Sequence, residues 1–333
     1  MEKIKGCNMK KQTLLVGSAI LAMSIFTGCS NKINLAEYRP MVAQKNELAP
    51  KDLTAHTTKK AAIVKFKSYK YKNVDPSQLA TNQLKAELTK SKFVKVDKVL
   101  PASKIDEYVK LAEQEKQGGN KNVSHYVIKG SIQAISYTPT YHPVQYVKTK
   151  KGTIKIPPYW SYEVCSDIQT DILNVPSLQS DFSNLEHTCI NHKGGNNQAK
   201  AFFPYLINDA VKETIKDSAD KINKFFAPKG YILEVKRKDD DIIAKISLGE
   251  KQGVHPGMKF TIYDLQKDSA TGDINKYKIA TAKVGDNTIF ANTSWVTIDL
   301  EENQQLKIGD LVEPDLTEGF FSKAGKFLSR QMR

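Results

Sequence analysis

A charge-free run near the amino terminus constrains this chain more than any other feature of its sequence. Residues 13–28 hold no charged side chain, and Lys10 and Lys11 stand just before them. At 16 residues the run is short for a helix that must cross a ~30 Å hydrocarbon core, which takes roughly 20 residues. A short apolar core with a basic flank and small residues at its end is typical of a secretory signal. We therefore expect residues 1–28 to be a signal peptide.

The end of this run, Phe26-Thr27-Gly28-Cys29, resembles the bacterial lipobox, although Phe26 stands where the motif usually has Leu. The resemblance implies that Cys29 is acylated (palmitate) and becomes the first residue of the mature protein. The alternative is a buried hydrophobic helix with a stray cysteine. Met9 opens a more ordinary signal than Met1 does, so the true start stays open. Ser30, rather than Asp, follows the cysteine, which favours the outer membrane and its periplasmic face.

The charge of the chain bears on its partners. The formal net charge is +14, and the leader's four lysines and one glutamate leave about +11 after its removal. Such a surface attracts acidic polymers or anionic lipid. We expect no nucleic acid as a partner, because an exported lipoprotein rarely meets it. Lipopolysaccharide, an acidic wall polymer or an acidic protein stays open, as does a lysine-rich composition without such a role.

The hydrophobic periodicity divides the mature chain into two domains between a tether at 29–60 and a tail at 316–333. Residues 61–227 alternate strand and helix patterns, with Ala80, Leu84 and Leu88 as the buried stripe of the first helix. The order predicts an α+β or α/β class, a mixed-sheet sandwich with packed helices. The proline-rich stretch 138–160 predicts a protruding hairpin or loop. Residues 231–315 read as short strands and turns, which predict a small all-β SH3-like barrel.

The tail combines apolar and cationic residues on a helical pattern. We expect it to contact anionic lipid or a partner groove, or alternatively to pack on its own barrel. The contact residues predicted are Phe320, Phe321, Phe327, Lys323, Lys326 and Arg330.

Several phrases of the first domain resemble a known family. The succession "AAIVKF", "SKFVKVDKV" and "SHYVIKGSI" is similar to the CsgG-like fold, which occurs in the curli secretion lipoprotein, in the synthase activator LpoB and in the middle domain of the flagellar protein FlgT. The second domain resembles the FlgT carboxy-terminal barrel through "IIAKISLGEKQGVHPGMKFTIYD". These motifs are core and turn residues, so they specify fold well and function poorly.

The chain departs from the curli channel where that channel is formed. Membrane-spanning hairpins need alternating lipid-facing apolar residues over roughly 9–11 residues a strand. The matching segments here are 138–160 and 174–197. The first holds four prolines and four lysines, and the second is short and polar. We therefore do not expect a pore.

The sequence carries none of the common catalytic signatures, and we expect neither enzymatic activity nor a cofactor. His187, Cys189 and His192 could offer zinc ligands, but a disulfide cysteine flanked by surface histidines is the favoured interpretation, with no metal site. The acidic triplet 239–241 reads as a solvated turn rather than a calcium site. The lysine-interleaved aromatics of 65–72 read as a solvated strand edge rather than a nucleic-acid stripe.

Only two cysteines remain beyond the leader and Cys29, and in an oxidising compartment they suggest one disulfide. If "SYEVCSDIQTDIL" and "SNLEHTCINH" pair as antiparallel strands around a turn near Ser177, Cys165 and Cys189 face each other. A bulge in the loop would offset them. We predict this bond.

Taken together, these patterns predict a non-enzymatic, outer-membrane-anchored lipoprotein that acts as an assembly or adaptor component of an envelope machine. Its partners would be outer-membrane lipid through Cys29 and either a periplasmic protein or its own copies in a ring. The barrel resemblance favours a flagellar basal-body or motor accessory ring. An LpoB-like activator of a peptidoglycan synthase is the alternative, and a CsgG-type curli component comes third.

Overall fold

A computed structural model describes residues 32–54, 58–118, 123–150, 152–196 and 200–316. We call residues 32–54 the arm, residues 58–226 the sheet lobe and residues 230–314 the barrel lobe. The α-helices are α1 (Ser77–Ser91), α2 (Ile105–Gln117) and α3 (Pro204–Phe226). The strands are β1 (Arg39–Pro40), β2 (Thr58–Val64), β3 (Lys95–Leu100), β4 (Val123–His142), β5 (Gln145–Thr149), β6 (Gly152–Ile156), β7 (Tyr159–Val175), β8 (Ser180–Asn196), β9 (Gly230–Lys238), β10 (Asp241–Ile246), β11 (Lys259–Lys267), β12 (Ile274–Ile289), β13 (Ser294–Leu300) and β14 (Leu311–Pro314).

The sheet lobe is built on five strands in the order β3-β2-β4-β7-β8. β2 is parallel to β3 and β4, and the remaining pairs are antiparallel. Alternate residues of β2 face opposite sides. Ala61 and Ile63 join the core beneath α1 and α3, whereas Ala62 and Val64 pack with α2. The sheet is therefore covered by two helices on one face and by one helix on part of the other.

The first helix follows the stripe that its sequence predicts. Ala80, Leu84 and Leu88 are fully buried. Asp75 precedes the helix and accepts a hydrogen bond from the Ser77 backbone N–H at 3.0 Å. Hydrogen bonds from Ser68 and Ser77 lower the pKa of the Asp75 carboxyl to about 2. The helix start is thus stabilised by a carboxylate that stays ionised at neutral pH.

Gly130 of β4 allows the ring of Phe66 to pack directly against the strand backbone. A Cβ at this position would lie 2.0 Å from the Phe66 ring atom Cζ. Phe66 is itself buried, at 5% exposure. The ring therefore occupies the space that any other residue at position 130 would need, which agrees with the close backbone approach that glycine in a strand indicates.

The barrel lobe closes on itself. Its six strands run β9-β10-β13-β12-β11-β14, and β14 pairs with the first residues of β9 through Leu311↔Tyr231 and Val312↔Gly230. The arm strand β1 pairs with the later residues of the same β9 edge, with Arg39 opposite Arg237. The arm therefore completes the closure that β14 begins.

The predicted class, an α+β or α/β sandwich with packed helices, is wrong for the molecule as a whole. Among the described residues, fourteen strands stand against three α-helices, and six of the strands form the closed antiparallel barrel. The error has a physical origin in the long strands. β4 continues to His142, β5 and β6 form a hairpin, and β7 begins at Tyr159, so most of the proline-rich stretch is strand. The hairpin agrees with one of the two predictions for this stretch, whereas Pro139 lies inside β4, opposite Tyr162, rather than in a loop.

Buried side chains of the two lobes belong to one contiguous hydrophobic cluster. Gly253 of the barrel lobe meets the end of α1, because a Cβ there would lie 2.9 Å from the Ser91 carbonyl oxygen. The backbone φ of Gly253 is +81°, a conformation that glycine adopts at no steric cost. This contact forms one side of the cleft described next.

Candidate functional site

A cleft of about 500 Å³ lies where the sheet lobe meets the barrel lobe. Its size is within the range of small-ligand sites, roughly 300–1,000 Å³. The lining comes from the starts of β2 and β3, the ends of α1 and α3, the first residues of β9 and a short turn before β11. The lining residues are Thr58, Lys59, Lys92, Phe93, Lys95, Phe226, Pro228, Lys229, Tyr231, Lys251 and Gln252. Five of the eleven are lysines, and none is acidic.

Lys59 is the best-defined cation of this lysine cleft. Its Nζ donates hydrogen bonds to the carbonyl oxygens of Phe226 at 2.9 Å and Ala227 at 3.3 Å. These carbonyls end α3, where the helix carries roughly half a negative elementary charge. Burial, reinforced by the positive charge of Lys229, lowers the pKa of Lys59 to about 8. The ammonium is thus still mostly protonated at neutral pH but loses its charge in mild alkali.

The other four lysines have few anionic neighbours. The Nζ atom of Lys229 lies 3.8 Å from Oε1 of Glu313, which is a long distance for an ion pair. Among the described residues, no carboxylate oxygen lies within 4.0 Å of the ammonium of Lys92, Lys95 or Lys251. The positive charge of Lys95 helps to lower the pKa of Glu115 through space, without a direct ion pair between the two side chains. The cleft is therefore an electropositive concavity between partly apolar walls.

The predicted tether at 29–60 includes a segment, the arm, that lies on the barrel lobe. Ile33 is buried against Ile243 and Trp295. The side chain of Asn287 makes two hydrogen bonds to the backbone of Ile33. It accepts from the Ile33 N–H at 2.9 Å and donates to the Ile33 carbonyl oxygen at 3.1 Å. The described part of the chain is thus attached to the barrel four residues after Cys29 in sequence.

A buried amide holds the other end of the arm. The Asn46 side chain, 3% exposed, donates to Asp264 and to Asp310, both at 3.0 Å. Lys307 donates from Nζ to Asp264 and from its backbone N–H to Asp310. Burial raises the pKa of the Asp310 carboxyl to about 6, although the Asn46 hydrogen bond opposes this. Asn46 and Lys307 therefore each supply donors to both of these carboxylates.

The structure brings Cys165 and Cys189 together in a disulfide. They are directly opposite in the β7–β8 register, as the strand arithmetic predicted. His187 Nε2 lies 3.2 Å from the Cys189 sulfur, and His187 Nδ1 pairs with Asp167. The ligand atoms of Cys165, His187 and Cys189 lie within 4.8 Å of one another, but the bond between the sulfurs occupies the two thiolates that zinc would need. His192 is directed elsewhere, with Nε2 3.3 Å from the Tyr205 hydroxyl.

Two further predicted features have clear positions. Asp239 and Asp240 form the tight turn between β9 and β10. The aromatics of 65–72 follow β2 rather than lying on a strand edge: Phe66 is buried, and Tyr69 and Tyr71 pack against the core. They therefore do not form the exposed stripe that single-stranded nucleic acid needs.

Other predicted residues lie outside the described part of the chain. These are Cys29, the signal peptide and the tail contact set of Phe320, Phe321, Phe327, Lys323, Lys326 and Arg330. Within the described residues, no helix is both long and apolar enough to cross a membrane.

The distal hairpin β5–β6 presents side chains on both faces. Val147 stands opposite Ile154 on one face, and Tyr146 stands opposite Lys155 on the other. All four are exposed. The alternation gives one apolar and one cationic face, neither of which is covered by another described element.

Sequence reasoning did not find the lysine cleft. Its five lysines come from four separate stretches of chain, and no local motif connects them. Only the overall basic charge hinted at an anion site. The closest local signal was Lys92 at the end of α1, where cations favour a helix carboxyl terminus.

Comparison with known proteins adds little. No family model and no curated protein match the sequence. Among solved structures, a putative neuraminyllactose-binding hemagglutinin homolog from Helicobacter pylori aligns at 11% identity and a TM-score of 0.33, over 53% of this chain and 90% of that one. A minor lipoprotein from Acinetobacter baumannii aligns at 12% identity and 0.22, over 49% and 87%. Lipoprotein GNA1162 from Neisseria meningitidis aligns at 11% and 0.19, over 48% and 99%. Two of these neighbours are bacterial lipoproteins, but TM-scores this low carry no argument about this chain.

Proposed function

We propose that this protein is a non-enzymatic lipoprotein, anchored through Cys29 on the periplasmic face of the outer membrane, that serves as an adaptor in an envelope assembly. The arm carries this proposal, because Ile33 is fixed on the barrel lobe only four residues after the lipobox cysteine. Four extended residues span at most ~14 Å. An acylated Cys29 would therefore hold the barrel lobe close to the membrane surface, whereas a long flexible tether would let it move away.

The sheet lobe supplies the surface for assembly in this proposal. β8, 17 residues long, is the last strand of its sheet and pairs only with β7 among the described strands. A long free edge is a template for adding a further strand. This favours a ring of copies, and within that class we propose a flagellar basal-body or motor accessory ring.

Anchoring and assembly are tested separately. For anchoring, Cys29→Ala should release the protein from the outer-membrane fraction or leave it unprocessed, while the wild type gains the mass of its acyl chains. An unmodified mass at Cys29 in the mature wild type contradicts the anchor.

For assembly, we expect light scattering to find large oligomers of the detergent-solubilised wild type. Leu185→Lys, on β8 and 59% exposed, should shift these oligomers toward monomer. Ile274→Lys is the matched control, since Ile274 is equally exposed on the closed barrel lobe. A wild type that stays monomeric and binds a transpeptidase favours the LpoB-like alternative instead.

A further inference from the structure

The charge of the lysine cleft is not balanced by its surroundings. The ends of α1 and α3 supply together about one negative elementary charge. Of the cleft lysines, Glu313 lies near Lys229 alone, at 3.8 Å, and it pairs more closely with Lys276 outside the cleft, at 2.7 Å. Against these stand five ammonium groups and no lining carboxylate. We propose that this cleft binds a small anion carrying two or more phosphate groups. The proposal does not depend on the lipid anchor, because every residue it uses lies within the described body.

The number and compactness of the cations favour a diphosphate over a single carboxylate. An arginine forms a planar fork that matches carboxylate and phosphate alike, whereas a lysine acts as a compact point charge with three donors. The cleft has five lysines and no arginine. Such a set favours the ligand with the greatest negative charge in a small volume, which a diphosphate has and a single carboxylate lacks.

The geometry of Lys59 leaves it able to take part. An ammonium has three hydrogen-bond donors, and two of them are directed at the Phe226 and Ala227 carbonyls. One donor remains for a ligand. Lys59 is held at the base of the cleft by these contacts, so it loses little conformational freedom when an anion binds.

The walls increase the strength of any ion pair formed inside. Phe93 and Phe226 are buried, and Pro228 and Tyr231 are partly so. Concavities with low-dielectric walls concentrate the field of the charges that line them. The same lysines spread over an open surface would attract an anion much less.

Calorimetric titration of the full-length protein in detergent with inorganic pyrophosphate, at fixed ionic strength, tests the proposal. The test variant combines Lys92→Gln, Lys95→Gln and Lys251→Gln, which leaves Lys59 on its helix end and Lys229 beside Glu313. The matched control combines Lys148→Gln, Lys150→Gln and Lys155→Gln, which removes the same charge from the distal hairpin. We expect the test variant to raise Kd at least about tenfold and the control to change it less than about twofold.

Three results would overturn the proposal. The first is no saturable binding of pyrophosphate to the wild type. The second is an equal loss of affinity in both triple variants, which would mean that only net charge matters. The third is citrate binding as tightly as pyrophosphate, which would contradict the preference for phosphate.

Two further readouts sharpen the result. Bound pyrophosphate should raise the pKa of Lys59, which NMR of its side chain can follow. The affinity should fall between pH 7 and pH 9 as Lys59 loses its proton. An unchanged Lys59 pKa on saturation places the ligand elsewhere and contradicts the site. Vesicles of phosphatidylcholine with a lipid whose headgroup is a diphosphate identify the source: if they displace pyrophosphate, the natural ligand is a lipid headgroup, and if they do not, it is a soluble phosphate.

Discussion

The barrel lobe and the sheet lobe differ in whether their edge strands are paired. In the barrel lobe, β9 is covered on one side by β10 and on the other by β14 and then by the arm strand β1. In the sheet lobe, β3 and β8 each have a single neighbour among the described strands. One lobe therefore satisfies its backbone internally, and the other leaves a long edge available to a partner.

This contrast separates two roles within one chain. The arm is attached to the closed lobe at both ends. Ile33 packs in a hydrophobic cluster of that lobe at one end, and the buried Asn46 side chain hydrogen-bonds to it at the other. The open lobe extends away from it. β4 begins beside the cleft, where Val123 pairs with Thr58, and reaches Tyr141 some 18 residues later, a span of ~60 Å. If Cys29 is anchored as proposed, the barrel lobe would lie at the membrane and the sheet lobe would reach away from it.

The largest expected effect is a steric one confined to the sheet lobe. Gly130→Val would force its side chain into the ring of Phe66 and should destabilise this lobe by about 3 kcal/mol or more. Gly118→Ala is the control, since its Cβ would meet nothing nearer than 3.5 Å. Hydrogen exchange should show faster exchange in β2 and β4 while the barrel strands β10 to β13 change little. Equal loss of protection in both lobes would mean that they unfold as one unit.

The second effect concerns the long antiparallel strands. Replacing Cys165 and Cys189 together by serine should lower the unfolding free energy by roughly 3 kcal/mol, because the bond restricts the unfolded chain across 24 residues. Chemical unfolding without reductant measures this. With reductant the two proteins should be equally stable. Free thiols at both positions of the oxidised wild type, found by peptide mapping, would rule out the bond.

The third effect is on the attachment of the arm. Asn46→Ala removes the donor shared by Asp264 and Asp310 and should cost about 2–3 kcal/mol, since both acceptors are buried and charged or partly charged. Asn34→Ala, an exposed change in the same arm, should cost less than about 0.5 kcal/mol. Thermal unfolding and protease sensitivity of the arm distinguish the two. Similar stability of both variants would mean that the arm rests on the barrel without contributing to it.

The smallest effect is a pH dependence of the barrel lobe. The folded pKa of Asp310, about 6, lies above the ordinary value of 3.8. The stability from this group is therefore present in full below pH 3.8 and is lost as pH rises through 6. Asp310→Asn loses an acceptor at every pH but should remove this slope. A wild type and variant with parallel stability profiles between pH 4 and 7 would contradict the shift.

Local patterns predicted the elements whose residues act on near neighbours. The α1 stripe of Ala80, Leu84 and Leu88 is a property of one helix. The facing cysteines followed from the count of residues between two strands. Each of these predictions depends on the number of residues between two positions, which can be counted in the sequence.

The features that the sequence left undetected depend on distant parts of the chain. Asn46 meets Asp264 and Asp310 across more than 200 residues, and the lysine cleft collects cations from four stretches. The predicted class is wrong because the strand content of 138–160 extends beyond a protruding hairpin into the ends of β4 and β7. Pro139 lies within β4, and Pro157 and Pro158 stand just before β7. Proline density alone cannot distinguish a loop from the ends of paired strands.

The central claim is that the barrel lobe lies at the membrane and the distal end of the sheet lobe lies away from it, and two native tryptophans test it most directly. Trp295 packs against Ile33 in the barrel lobe, and Trp160 pairs with Tyr141 at the far end of β4. The measurement is energy transfer from each tryptophan to an acceptor on lipid headgroups, in vesicles carrying the acylated protein, with Trp160→Phe and Trp295→Phe isolating each donor. The account predicts strong transfer from Trp295 and little from Trp160. Equal or stronger transfer from Trp160 would contradict it and place the distal hairpin at the membrane instead.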